Sequence, residues 1–175
     1  ELAAAAAAIL VVIAPAALAY LRVRQAFGFR RAVGEMEAFG AAWSDYLRIP
    51  AGLWAWSGVL RPGEGERALF PGVTIVVLSA AAAVTLARPA WTARARRPAA
   101  WAWHLGIYGT ILVLAVWLSA GPSAPGPYPL LLRVLPGFDG LRVPARFVVV
   151  VALALAVLGA AGAAWLFARL RPRAA

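Results

Sequence analysis

The sequence predicts an all-α polytopic membrane protein with four transmembrane helices and an interfacial amphipathic helix. Three observations carry this. Of 175 residues, 63% are hydrophobic and only 14% charged; an ordinary soluble domain is about half apolar and about a quarter charged. The apolar residues are gathered into four long runs. All 17 basic residues are arginines, and nearly all lie between or beside those runs, the pattern of membrane flanks.

The runs cover residues 2–21, 70–87, 101–118 and 147–168. At a rise of 1.5 Å per residue the shorter runs reach roughly 27 Å and the fourth roughly 33 Å, enough for a hydrocarbon core about 30 Å thick. Backbone groups in lipid must be satisfied within the segment, so the runs are read as helices. No run alternates polar with apolar residues, which argues against a barrel. The first run ends Ala17-Leu18-Ala19, like a signal-peptidase site, but a signal peptide starts with basic residues and this chain opens with Glu1. The expectation is a single membrane region over 1–175, forming a piece of a longer polytopic protein.

Residues 22–69 are long enough to hold structure. Phe29, Val33, Met36, Gly40, Trp43 and Leu47 recur at three- and four-residue steps, one face of a helix. A helix over 26–48, lying in the interface, is expected, with Arg31–Glu35 as an i,i+4 pair. Pro50 ends it, Trp54 and Trp56 suit an aromatic belt, and Pro62-Gly63-Glu64-Gly65 is a turn. In residues 119–146, the stretch from Gly121 to Pro129 has too many prolines for a regular helix. A short helix over 130–134 follows.

Residues 88–100 and the tail after 168 carry seven arginines and no acid. With four spans these lie on one side and should be cytoplasmic; 22–69 and 119–146 are then the external segments. Arg22, Arg24, Arg30 and Arg31 close behind the first run are a counter-signal. The net charge of +10 is distributed over span flanks rather than one soluble face, so no nucleic-acid partner is expected. The partners expected are membrane lipids and the remaining helices of the longer chain. With no cysteine and one histidine, no metal site is legible, and no cofactor is evident; no phosphate-binding glycine loop or nucleophile elbow is present.

Arg142 and Arg146 stand at the mouth of the fourth run. Guanidinium forks match phosphate oxygens bidentately, so the pair is a candidate lipid-phosphate site. The same residues could instead snorkel to headgroups and anchor the helix. Asp139 and Asp45 are the accessory candidates, as a general base or metal ligand. Phe138-Asp139-Gly140 also reads as a plain turn, and Asp45 beside Ser44 as a cap or solvated charge. Glu64 and Glu66 read as solvated turn charges that could pair with Arg61, Arg67 or the Arg142/Arg146 group. His104, beside Trp101 and Trp103, reads as interfacial. Gly106/Thr110 and Gly159/Ala163 have the small-xxx-small spacing of close helix packing.

Several of these motifs together resemble a known family. Arg30-Arg31 with Glu35, then Ser44-Asp45-Tyr46-Leu47 and Pro50, then Leu69-Phe70-Pro71-Gly72 opening a span, and the run from Leu135-Pro136-Gly137-Phe138-Asp139-Gly140-Leu141 through Arg142-Val143-Pro144-Ala145-Arg146-Phe147 resemble the C-terminal half of bacterial GT-C-type membrane glycosyltransferase-like proteins. The resemblance covers residues 22 to 165, and its last motif is the most specific. It implies a multi-pass protein of the bacterial inner (cytoplasmic) membrane that uses a polyprenyl-phosphate-linked sugar on the outer face. That family's catalytic acid lies in the first external loop, and no position here matches it. The alternative is a non-catalytic membrane subunit or transporter piece.

The topology makes a forecast. In Ser57→Cys and Thr92→Cys variants of this cysteine-free chain, a membrane-impermeant maleimide should label position 57 in intact cells and miss position 92. The reverse pattern overturns the orientation.

Overall fold

The computed structural model describes residues 2–28, 32–86, 99–135 and 137–170. Its elements are helical throughout. They are α1 (Leu2–Phe27), α2 (Val33–Ala38), α3 (Val73–Leu86), α4 (Ala99–Ser119), α5 (Pro127–Val134) and α6 (Val148–Leu170), with short 3-10 turns between them. No strand occurs among the described residues; a single isolated bridge joins Ile49 and Pro62. Residues 87–98 and 171–175 lie outside the described residues, so most of the purely basic segments do too.

Two helical stretches, Ala3–Phe27 and Pro144–Leu170, are long and apolar enough to cross a membrane. The apolar stretches Val73–Val84 and Trp103–Ser119 are shorter. α3 has 14 described residues, roughly 21 Å. α1 runs six residues beyond the predicted end, carrying Arg22 and Arg24 on its last turns. Most of its described side chains are exposed, with Val11 at 72% and Val12 at 77%, while Arg24 is half-buried.

The core is organised on α6. Val151, Ala154, Leu155, Leu158, Gly159 and Gly162 form its buried stripe, at steps of three and four residues. α3 and α4 both pack along α6 and touch each other little. On the α3 side, a Cβ added at Gly162 would collide with the Leu78 carbonyl, and one at Gly159 would press on Ile75 at 3.2 Å. Ser79 Oγ donates to the Leu155 carbonyl at 3.1 Å. On the α4 side, Ala115 packs with Val151 and Leu155. Of the two small-residue pairs predicted, only the region of Gly159 makes a helix seam. Gly106 has open space around it, and Thr110 Oγ1 donates back to the Gly106 carbonyl within α4.

The interfacial helix expected over 26–48 is corrected to two short pieces. α1 ends at Phe27 with Gly28 at φ +59°, α2 has six residues, and a 3-10 turn covers Trp43–Leu47. The physical reason is Gly40. Its backbone presses against Ala120 so closely that a Cβ would meet the Ala120 carbonyl, and Ala41 N–H donates to the Ser119 carbonyl at 2.8 Å. The chain leaves the helix to dock on the end of α4. Of the predicted stripe, Met36 and Gly40 are buried while Val33, Trp43 and Leu47 are exposed. The predicted Arg31–Glu35 pair has Arg31 outside the described residues; Glu35 instead meets Arg142.

The glycines separate two outcomes. Gly162→Ala should lower unfolding stability in detergent by about 1–3 kcal/mol, because the added methyl must push α3 away. Gly106→Ala, with open space, should be neutral or stabilising by up to about 1 kcal/mol. Equal thermal unfolding of both variants would contradict the α3–α6 seam.

Candidate functional site

The head of α6 is built from segments that are distant in sequence. Pro144 opens a 3-10 turn, Pro144–Phe147, that runs into α6; proline suits that first position because its missing N–H is not needed there. Ala145 N–H donates to the Phe39 carbonyl at 3.3 Å. Ala41, Leu69, Val143 and Ala145 bury one another, with Tyr46 and Val148 against them. A second apolar cluster joins Met36, Tyr128 and Phe138, where the Tyr128 and Phe138 rings meet edge-on at 4.9 Å. Burial pushes the Tyr128 hydroxyl up to about 12, so it stays protonated. It points to Met36 Sδ at 4.0 Å.

Around this apolar seat sit the charges. Arg142 Nε lies 2.8 Å from Glu35 Oε1, and its guanidinium stacks over the Phe39 ring at 5.2 Å, a cation–π distance. Arg146 holds Glu66 through Nε, at 3.2 Å from both carboxylate oxygens, and through Nη2 at 2.6 Å. The bond from Arg146 is the main reason the Glu66 carboxyl is held below its usual value; Arg146 and Arg142 also act on it through charge. The two guanidiniums therefore share a neighbourhood, as their four-residue spacing predicts. Both remain open to solvent, at 55% for Arg142 and 72% for Arg146.

Asp45 has a different role from either reading of it as a base or a solvated charge. It is 1% exposed and organises the loop. Its Oδ2 accepts the Ala42 N–H at 2.9 Å, the local cap that the sequence suggests. Arg48 and Arg67 close on its two oxygens, each at 3.3 Å through Nε. Its backbone carbonyl accepts from Leu69 N–H at 3.1 Å, while Phe70 N–H donates to the Arg48 carbonyl at 3.1 Å. The turn Gly65–Arg67 thus places Glu66 on Arg146 and Arg67 on Asp45, tying the loop to α6. A buried carboxylate with this many partners is a structural anchor.

Asp139 lies apart from both. It sits in the 3-10 turn Phe138–Gly140 after Gly137 at φ +90°, and Arg24 of α1 holds it at 2.6 Å. Tyr20 of α1 stands so close to Gly140 that a Cβ there would strike its hydroxyl. Asp139 ties α1 to the rest of the chain. Among the described residues no three His, Cys, Asp or Glu come together.

Sequence reasoning found the two arginines but not their carboxylates in full. The 107-residue separation of Glu35 and Arg142 leaves no local signal. The Asp45–Arg48 contact does leave one, its i,i+3 spacing. Glu66 was legible as a charge and as one possible partner of Arg146, but not as its bidentate strap. No family model, curated protein or solved structure matches the chain.

The Glu66–Arg146 strap sets a pH response. The folded value of Glu66 is depressed below the usual 4.5, so its contribution is fully present above that pH. It is lost as pH falls through the lowered folded value. Hydrogen exchange of amides 65–69 should quicken as the pH is taken below about 4, once the intrinsic rate is corrected for. In Glu66→Gln they should exchange modestly faster at pH 7, without that step. A pH step unchanged by Glu66→Gln would assign it to another group.

Proposed function

We propose that this chain is the membrane-embedded portion of a glycosyltransferase that takes a polyprenyl-phosphate-linked sugar on the outer face of the bacterial inner membrane. In this reading α1, α3, α4 and α6 are the four spans, and the loop built on Asp45 lies outside. The catalytic acid belongs to a part of the full-length protein upstream of these residues. Arg142 and Arg146 bind the donor's phosphate.

One observation carries the reading. Two solvent-open guanidiniums, both acting on Glu66, stand over an apolar seat at the head of α6, which is long and apolar enough to span. Guanidinium offers five donors. Arg142 engages Glu35 through Nε and Arg146 engages Glu66 through Nε and Nη2, so further N–H groups can meet phosphate oxygens. The resemblance of residues 135–147 to the glycosyltransferase-like family supports the same assignment.

The two carboxylates favour a second reading, in which both arginines only strap the loop to α6 and the chain is a packing subunit. Substitution of each partner separates the two. For a phosphate clamp, Arg142→Lys and Arg146→Lys in the full-length protein should each lower polyprenyl-phosphate binding about tenfold or more, because an ammonium cannot bind bidentately. Membrane insertion should be normal, and Glu66→Gln should leave binding intact or tighten it. For a strap, Glu66→Gln should reproduce the Arg146→Lys defect. Lysine variants that bind like the parent overturn the phosphate assignment.

A further inference from the structure

The segment between α1 and α3 does not stand clear of the helix ends. Tyr46 and Leu47, on the 3-10 turn Trp43–Leu47, line a cleft whose other walls come from α3, α4 and α6. Among those partners, Val151 of α6 and Val116 of α4 lie about one turn from the helix ends where this segment docks, and Leu155 and Leu112 lie about two turns from them. Tyr46 packs against the cluster of Ala115, Val151 and Leu155, and its hydroxyl is bonded to Ser119 Oγ, on the last residue of α4, at 2.8 Å. The turn is therefore held level with the outermost turns of the helices. The helix α5 is held there too, because its Leu131 and Leu132 join Leu118 of α4 and Phe147 at the head of α6 around the Tyr128–Phe138 cluster.

Both elements turn large apolar side chains outward at that level. On the turn, Asp45 and Tyr46 face inward while Trp43 and Leu47 are 71% and 62% exposed; on α5, Tyr128 is buried while Leu130 and Val134 are 62% and 68% exposed. Val149, in the first turn of α6, is exposed as well. The apolar spanning stretch of α6 begins at Pro144, ahead of this level. Where α6 crosses a bilayer, Val149 meets lipid, and side chains held at the same level by other elements meet the same medium. A protein partner would cover one patch, whereas a leaflet surrounds the helix heads and reaches the turn, α5 and Val149 alike. Tryptophan suits such a boundary, since its ring is apolar and its N–H can stay wet.

We infer that the turn Trp43–Leu47 and α5 are seated in the lipid leaflet at the head of α6, with Trp43, Leu47, Leu130 and Val134 immersed at the boundary of headgroups and acyl chains. The inference rests on the proposal that α6 crosses the bilayer. In phosphatidylcholine nanodiscs, the full-length protein would carry a nitroxide on one cysteine at a time. Its relaxation by oxygen, which partitions into lipid, is compared with its relaxation by a water-soluble nickel chelate. Glu64→Cys, at an exposed charged position before α3, is the aqueous reference, and Leu153→Cys, at an exposed position further along α6, is the lipid reference. At Trp43→Cys, Leu47→Cys, Leu130→Cys and Val134→Cys oxygen should outweigh nickel, the reverse of the order at Glu64→Cys, at a depth of about 5–10 Å. All four side chains are exposed, so the substitutions leave the packed clusters intact. Nickel outweighing oxygen at either pair, with oxygen still dominant at Leu153→Cys, puts that element in water and overturns the leaflet seat alone. Weak relaxation by both reagents at either pair means that another protein segment covers it, and overturns the seat too. Nickel dominant at Leu153→Cys as well overturns the bilayer placement of α6.

Discussion

Two apolar helices pack densely where their backbones can come close together. In this chain that condition is met between α3 and α6. Gly159 and Gly162 remove the side chains that would hold the helices apart, and the Ser79 hydroxyl finds the Leu155 carbonyl across the seam. A buried hydroxyl without such a partner would cost free energy. Because α3 takes one strip of α6 and α4 the neighbouring strip through Ala115, Val151 and Leu155, the two outer helices touch each other little. The cleft between them follows from that seam.

The same helix fixes the loops. Its leading turn, Pro144–Phe147, receives Phe39 through the Ala145 N–H and the apolar side chains of residues 41 and 69. A segment of nearly fifty residues would be expensive to order by backbone contacts alone. Here Asp45 provides the internal organisation. It collects one backbone N–H and two guanidiniums, and its own carbonyl holds Leu69. The loop returns to its starting point, so Phe70 enters α3 beside the turn from which the loop left.

The helices were legible because apolar length is a property of consecutive residues. The predicted end of the fourth run at 168 lies two residues from the end of α6, and the third run's end at 118 lies one from that of α4. Length alone did not extend to four spans, since only two of the helical stretches reach spanning length and apolarity among the described residues. The amphipathic helix over 26–48 failed for an equally physical reason. Periodicity reports which residues could share a face, but Gly40 is claimed by Ala120 from eighty residues away, and that contact breaks the helix. Asp45 was legible as a cap and illegible as a hub, because Arg67 reaches it only once the turn Gly65–Arg67 has folded back.

The choice of arginine throughout now has a structural reading beside a compositional one. Six of the seven acids lie in residues 22–69 and 119–146, and four of them, Glu35, Asp45, Glu66 and Asp139, meet arginines in the fold. Ten arginines share those two segments, and among the described residues Arg24, Arg48, Arg67, Arg142 and Arg146 meet these carboxylates. A lysine could neutralise the same charge, but as a point charge it could not grip both oxygens of Glu66 or stack on Phe39 while holding Glu35. Exposed pairs of this kind contribute little stability one by one. Their effect here is positional: each joins segments that the helices alone leave independent, α1 to the turn at 138–140, and α2 and the turn at 65–67 to the head of α6. Arg48, Arg67, Arg142 and Arg146 are each held in place by a carboxylate. In the phosphate reading proposed for Arg142 and Arg146, donors held in this way would lose less freedom on binding than mobile ones.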